Sequence, residues 1–147
     1  MRKLTLAVLL AVTVCLPAAY AFDSSATDKP AYLASVRAKL AAKQYDAAAT
    51  ELREISLRLP NADVFSLLGH ALWKSGDRTQ GMDYYNKALA LDASHKGALE
   101  YQGELYVALG QIDKAKANLA KLKRLCLLGC EEEEDLDAAI KQATKGH

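Results

Sequence analysis

The chain has 147 residues, with 19 lysines and arginines against 18 aspartates and glutamates, and 51% of its residues are hydrophobic. That length is sufficient for one domain with a buried core. The near balance of charge excludes the basic footprint of a nucleic-acid-binding protein and gives no reason to expect a strongly charged partner.

The first 21 residues have the features of a secretory signal peptide. The positive start Arg2-Lys3 is followed by an apolar run over Leu4–Leu16. The small-residue site Ala19–Ala21 then allows cleavage before Phe22. A membrane anchor is the alternative, but it needs about 20 apolar residues, more than this run supplies. We therefore expect an exported protein, periplasmic or secreted, without a membrane span after cleavage, and a flexible lead-in over 22–29.

The rest of the chain shows helical periodicity. Apolar residues recur at helical spacing, and glycine or proline falls between several of the periodic segments. The predicted helices span Pro30–Lys43, Asp46–Leu59, Ala62–Ser75, Thr79–Leu91, Lys96–Leu109, Asp113–Leu125 and Glu132–Thr144. Alternating, strand-like runs are missing from this sequence, so it predicts an all-α protein.

The middle of the chain repeats at a spacing of about 34 residues. Leu68-Gly69 corresponds to Gln102-Gly103, and Gly76-Asp77 corresponds to Gly110-Gln111. Such spacing is typical of helix-turn-helix units that stack into a solenoid. An ordinary antiparallel bundle is the alternative, but two glycine-containing pairs in one register favour repeats.

These units resemble the tetratricopeptide repeat family. The second repeat matches the large and small positions of the family motif at Phe65, Leu68, Gly69, Leu72, Gly81, Tyr85 and Ala88. The third repeat matches at Leu99, Gly103, Tyr106, Ala115, Leu119 and Leu122. The first is divergent, with Ser35-Val36 in place of the family's Leu-Gly pair. The resemblance implies an α-solenoid of about three repeats over 30–130, followed by an acidic capping helix and tail over 131–147.

The resemblance also implies a binding surface on the concave side, which is lined mainly by the first helix of each pair. The residues that this register places there are Leu33, Arg37, Leu40, Asp63, Ser66, His70, Trp73, Lys74, Glu100, Glu104 and Val107. Trp73 is the candidate anchor because tryptophan is enriched among binding hot spots; lateral packing against the neighbouring pair is the other interpretation. Glu100 and Glu104 would repel the C-terminal carboxylates that one subtype of the family clamps, so the resemblance supports general protein or peptide binding.

The last feature is a pair of cysteines, Cys126 and Cys130. With Cys15 lost in the signal peptide, an even number of cysteines remains in an oxidising compartment, which predicts a structural disulfide. Redox sensing by the pair is one alternative, and a metal site completed by Glu131 and His147 is another. A cysteine pair before an acidic helix is also similar to the end of small exported repeat proteins of proteobacteria.

Catalytic patterns are missing from the sequence. His70, His95 and His147 lie in unrelated contexts, and neither a glycine-flanked serine nor a phosphate-binding loop occurs. We therefore expect no enzyme activity, no cofactor, no metal and no nucleic-acid partner. The leading hypothesis is an exported scaffold or adaptor that binds a protein or peptide partner of unknown identity. A redox-responsive assembly factor that uses Cys126 and Cys130 is the alternative, and a helical enzyme is a third.

Overall fold

A computed structural model of the protein describes residues 30–145. The predicted signal peptide, the lead-in over 22–29 and His147 lie outside the described residues. A short 3-10 turn, Ala31–Leu33, leads into the first α-helix. The helices of the described part are α1 (Ala34–Ala41), α2 (Tyr45–Arg58), α3 (Ala62–Lys74), α4 (Arg78–Leu91), α5 (Lys96–Ala108), α6 (Ile112–Leu125) and α7 (Glu131–Thr144). The predicted all-α solenoid is confirmed.

The predicted boundaries of α2 to α7 agree with the observed ones to within one residue, and side-chain caps fix the starts of α3, α4 and α5. The side chain of Asn61 accepts a hydrogen bond from the backbone N–H of Val64, 3.0 Å away, at the start of α3. Asp77 accepts from Gln80 N–H in the same way at the start of α4. Such caps satisfy backbone donors that have no partner inside the helix, so they fix its first residue.

One backbone conformation joins the two helices of each pair. Lys43, Gly76 and Gly110 follow α1, α3 and α5 and have φ values of 57°, 108° and 71°. Glycine adopts positive φ without a steric cost, whereas a residue with a Cβ loses about 1 kcal/mol or more there. The divergent first repeat therefore keeps the turn of the other two without their glycine.

The apolar core follows the stack of helices in two clusters. The first lies among α1, α2 and α3 and consists of Leu33, Val36, Ala48, Ala49, Leu52, Val64, Leu68, Ala71 and Leu72. The second lies among α5, α6 and α7 and consists of Leu99, Ala115, Leu119, Leu122, Leu136 and Ile140. Because the second cluster includes side chains of α7, the capping helix contributes to the buried core. None of the helices in the described residues combines the length and the apolar run that a bilayer crossing needs.

Both repeat glycines lie at close helix contacts, as their register predicts. A Cβ built on Gly69 would lie 2.8 Å from the ring of Tyr85 and 2.9 Å from the backbone oxygen of Gly81, both on α4. A Cβ on Gly103 would lie only 2.5 Å from a methyl carbon of Leu136. The missing side chain at Gly69 therefore lets α4, the second helix of the same pair, approach α3 closely. The missing side chain at Gly103 lets α7 approach α5 in the same way.

A buried polar network explains the main departure of the third repeat from the apolar pattern. Gln102, which stands where the second repeat has a leucine, donates to Asn86 Oδ1 at 2.8 Å. The Nδ2 of Asn118 donates to Gln102 Oε1 and to the backbone oxygen of Leu99, both at 3.0 Å. Buried polar side chains are stable when they are hydrogen-bonded, so this network holds α4, α5 and α6 together.

Candidate partner-binding groove

A groove of about 850 Å³ crosses the first helices of the pairs. It is lined by side chains of α1, α3 and α5 and by the start of α7. Three of the residues proposed for partner binding line it, namely Arg37, Ser66 and Glu100, as do Leu40 and Asp63 from the wider concave set. The residues that the sequence register places on the concave side thus include groove-lining side chains from three different helices.

One wall of the groove was not predicted. Glu131, Glu132 and Asp135 line it from the first turns of α7. The sequence predicted that α7 mainly caps the third repeat, although its apolar spacing also suits the first helix of a fourth pair. That spacing was the available signal for a groove wall at this position.

His95 and Asp63 connect two of the lining helices. The Nδ1 of His95 accepts from the backbone N–H of Ala98 at 3.0 Å and so caps α5. Its Nε2 lies 3.0 Å from Asp63 Oδ1 on α3. Because Nδ1 is an acceptor, the hydrogen-bond network assigns the ring proton to Nε2, which donates to the carboxylate.

His70 does not line the groove. Its ring lies 4.3 Å from the ring of Tyr101, centroid to centroid. Burial, with a smaller effect of the charge on Lys74, lowers the pKa of His70 to about 4. Its Nδ1 has no hydrogen-bond partner among the described residues. His70 is therefore neutral at physiological pH and cannot attract an anionic partner.

Trp73 and Lys74 lie apart from the main groove. They line a second, shallow depression of about 820 Å³ beside the turn between α3 and α4. The ammonium group of Lys74 lies 3.8 Å from the centroid of the Trp73 ring, a favourable cation–π contact. The Cβ of Trp73 lies 3.0 Å from the position that a Cβ would take on Gly81. Trp73 is half-buried by these contacts, so it packs against the neighbouring helix as well as facing solvent.

The two predicted glutamates differ in their surroundings. Glu104 faces Lys74, with 3.9 Å between the charged atoms; burial raises the pKa of Glu104, and Lys74 opposes that effect. Glu100 is only 8% exposed. Burial, together with acidic neighbours on α5 and α7, raises the pKa of Glu100 to about 8. Glu100 is thus mostly protonated at neutral pH and has no cation to compensate its ionised form, whereas Glu104 has a cation beside it.

Two apolar members of the concave set pack against the core. Leu33 is fully buried in the first core cluster, because it belongs to the 3-10 turn, where the α-helical spacing used to place it does not apply. The register is wrong for Leu33, which is not available to a partner. Val107 packs against the second core cluster but keeps part of its surface exposed.

Cys126 and Cys130 are brought together as the sequence predicts. They form a disulfide in the structure, with Cα atoms 5.6 Å apart, within the usual range for such a bond. Cys126 is buried and follows α6, and Cys130 is the residue directly before α7. The bond therefore ties the groove wall on α7 to the last repeat. Within residues 30–145, no three His, Cys, Asp or Glu side chains are grouped to hold a metal ion.

Comparisons with known proteins agree with this architecture. Residues 62–95, which include α3 and α4, match the family described as Tetratricopeptide repeat. A search of curated proteins finds no match.

Three solved structures share the fold. The first tetratricopeptide repeat domain of Spaghetti (RPAP3), bound to the HSP90 peptide SRMEEVD, is 20% identical with a TM-score of 0.65. PcrH in complex with the chaperone-binding region of PopD is 17% identical with a TM-score of 0.65. Each of these two comparisons covers 78% of this chain and 90% of the other. The Sgt2 repeat domain from Aspergillus fumigatus is 16% identical with a TM-score of 0.66, over 78% of this chain and 76% of the other.

Proposed function

We propose that this chain, which carries a tetratricopeptide repeat and folds as a repeat solenoid, is an exported scaffold that binds a protein or peptide partner in its concave groove. The observation that carries the proposal is the groove of about 850 Å³ along the first helices of the pairs. Two structures of the same fold have a peptide or a partner region bound. Repeat solenoids commonly bind partners on such extended concave surfaces.

Different side chains stack the helices and line the groove, which supports the groove as the binding surface. The large apolar residues of α3 and α5, such as Leu68 and Leu99, are fully buried between helices and are needed for stacking. In contrast, Arg37 and Leu40 keep part of their surface exposed and line the groove. A ligand can therefore contact groove-lining side chains without disturbing the core.

The chemistry of the groove differs from that of a carboxylate clamp. The peptide bound to the Spaghetti domain, SRMEEVD, has acidic residues at three of its last four positions. Here α7 adds Glu131, Glu132 and Asp135 to the groove lining. Their negative charge repels an acidic ligand, so we expect this chain to reject acidic tails.

The test uses two tryptophan substitutions. A Cβ on Gly97, in the groove lining, would have no neighbour closer than 3.6 Å, so Gly97→Trp places a bulky side chain in the groove. Ala120→Trp puts the same side chain on an exposed position of α6. Partner capture from a periplasmic extract is expected to fall at least tenfold for Gly97→Trp and to persist for Ala120→Trp, with helix content checked by circular dichroism.

A different pattern would contradict the groove. If Gly97→Trp captures the partner normally and Trp73→Ala does not, the second depression is the recognition surface. If Trp73→Ala unfolds the protein, Trp73 belongs to the core.

Export is a separate part of the proposal. It rests on the signal-like segment that ends at Ala21. N-terminal sequencing of the periplasmic protein is expected to begin at Phe22, and retention of Met1 would contradict cleavage.

The redox-responsive alternative would require a thiol to reach the disulfide. Cys126 is only 7% exposed, so the attack would have to occur at the partly exposed Cys130. We favour a structural disulfide, because the bond joins the end of α6 to the start of α7.

A further inference from the structure

Glu100 is a predicted groove residue whose buried carboxyl group has no cation beside it. It lies on α5 and lines the groove while being 8% exposed. Within residues 30–145, every charged neighbour that acts on it is acidic: Glu104 on its own helix and Glu131, Glu132 and Asp135 on α7. A buried carboxylate is costly unless a cation or hydrogen-bond donor faces it. The described part of the chain does not supply that group.

A second unpartnered polar atom lines the same groove. The Oγ of Ser66 on α3 is buried and has no hydrogen-bond partner among the described residues. The Cβ position of Gly97 on α5 lies 3.8 Å from this oxygen. Gly97 and Glu100 are three residues apart and so lie on one face of α5, about 5–6 Å from each other. A free hydrogen-bonding atom and an uncompensated carboxylate are therefore close together in one groove.

The basic residues that line the groove do not neutralise it. The guanidinium of Arg37 donates to the backbone oxygen of Pro30 at 3.0 Å and so helps to fix the start of α1. Lys96 is exposed and is not among the groups that shift the pKa of Glu100. That pKa is raised to about 8, which is the expected response of a carboxyl group whose cation is absent.

We propose that the partner inserts a lysine or arginine side chain into this groove, where its charged group pairs with Glu100 and donates a hydrogen bond to Ser66 Oγ. Pairing releases the proton of the Glu100 carboxyl group to solvent. The proposal rests on the proposed function, since the cation is supplied by a peptide segment of the partner. The acidic residues of α7 attract the same segment through their charge. The groove thus selects a basic ligand, in contrast to an acidic peptide tail.

In the test, random peptides displayed on phage are selected for binding to three purified baits: the wild-type protein, Glu100→Gln and Glu54→Gln. Glu54 is an exposed glutamate on α2, outside the groove, so Glu54→Gln is a matched control. The wild type and the control are expected to enrich lysine or arginine at one peptide position about tenfold. Glu100→Gln is expected to lose that enrichment, and to bind a selected peptide about 10- to 100-fold more weakly. Replacing the peptide's lysine by norleucine should weaken binding to the wild type to a similar extent.

Three results overturn the inference. Selected peptides that compete in the groove, as judged by their loss with Gly97→Trp, but carry no preferred cation would refute the basic ligand and leave groove binding in place. Equal enrichment of basic peptides by Glu100→Gln would show that attraction is diffuse and does not use this site. The absence of any selected peptide would count against both the inference and the proposed function.

Discussion

The contact between Gly103 and Leu136 offers a quantitative test of how the capping helix is attached. A Cβ at position 103 would lie 2.5 Å and 2.7 Å from the two methyl carbons of Leu136. Carbon atoms prefer to be about 3.5–4.0 Å apart, so Gly103→Ala requires a displacement of about 1 Å in a fully packed site. Overpacking of this kind costs about 1–3 kcal/mol, and the better helix propensity of alanine returns about 1 kcal/mol. We expect a net loss of about 1 kcal/mol.

The double-mutant cycle isolates the contact. Leu136→Ala alone should cost about 2–5 kcal/mol, because it empties a fully buried position. In the Leu136→Ala background the new methyl group of Gly103→Ala enters the vacated space. Its effect should then be neutral or stabilising, which corresponds to a coupling free energy of about 1–3 kcal/mol.

Urea unfolding followed by circular dichroism measures all four proteins. Gly97→Ala is the control, because it makes the same change in the same helix with its nearest neighbour 3.6 Å away, and it should not destabilise the protein. Strictly additive effects of Gly103→Ala and Leu136→Ala, or equal behaviour of Gly103→Ala and Gly97→Ala, would refute the close packing of α7 on α5. The acidic wall of the groove would then have no fixed position.

Three further predictions concern the first turn, the groove carboxylate and the disulfide. Lys43→Gly should stabilise the protein by about 0.5–1 kcal/mol in urea unfolding, because it relieves the positive φ of 57° at this turn; a loss of stability would contradict the turn. The folded-state pKa of Glu100 is raised from 4.5 to about 8, so its stabilising contribution is complete below pH 4.5 and is lost as pH rises to about 8. The free energy of unfolding of Glu100→Gln should therefore rise relative to that of the wild type over that range, by about 2 kcal/mol after a reduction for solvent screening in the open groove. A stability difference that stays constant between pH 5 and pH 9 would contradict this. Thiol labelling of the unreduced, exported protein should find neither Cys126 nor Cys130 free, and full labelling of both would rule out the disulfide.

The sequence was sufficient for the fold because local and long-range signals agree. Helix ends follow from side-chain caps such as Asn61 and Asp77, which act within three residues and can be read directly. The close-contact glycines follow from the repeat register, since Gly69 and Gly103 occupy the same place in successive pairs. The partner of Gly103 could not be read in this way, because it depends on how α7 returns to the stack.

The site was harder to predict than the fold, because a groove depends on several helices at once. The register found Arg37 and Glu100, which line the groove. It also placed Trp73 in the same surface, although the structure places Trp73 beside the turn after α3. Burial was also missed, because it depends on packing that the sequence does not show. Glu100 was predicted as a surface group and is buried, and the Nδ1 atom of His70 is buried as well.

Site-specific photocrosslinking in intact cells tests most directly whether a partner occupies the concave groove. A photoreactive phenylalanine derivative replaces Tyr101, whose aromatic ring already lines the groove, or Ala120, on the exposed side of α6. We predict a discrete crosslinked adduct from position 101 and none from position 120. An adduct from position 120 together with none from position 101 would contradict binding in the groove and move recognition to the outer surface of the solenoid.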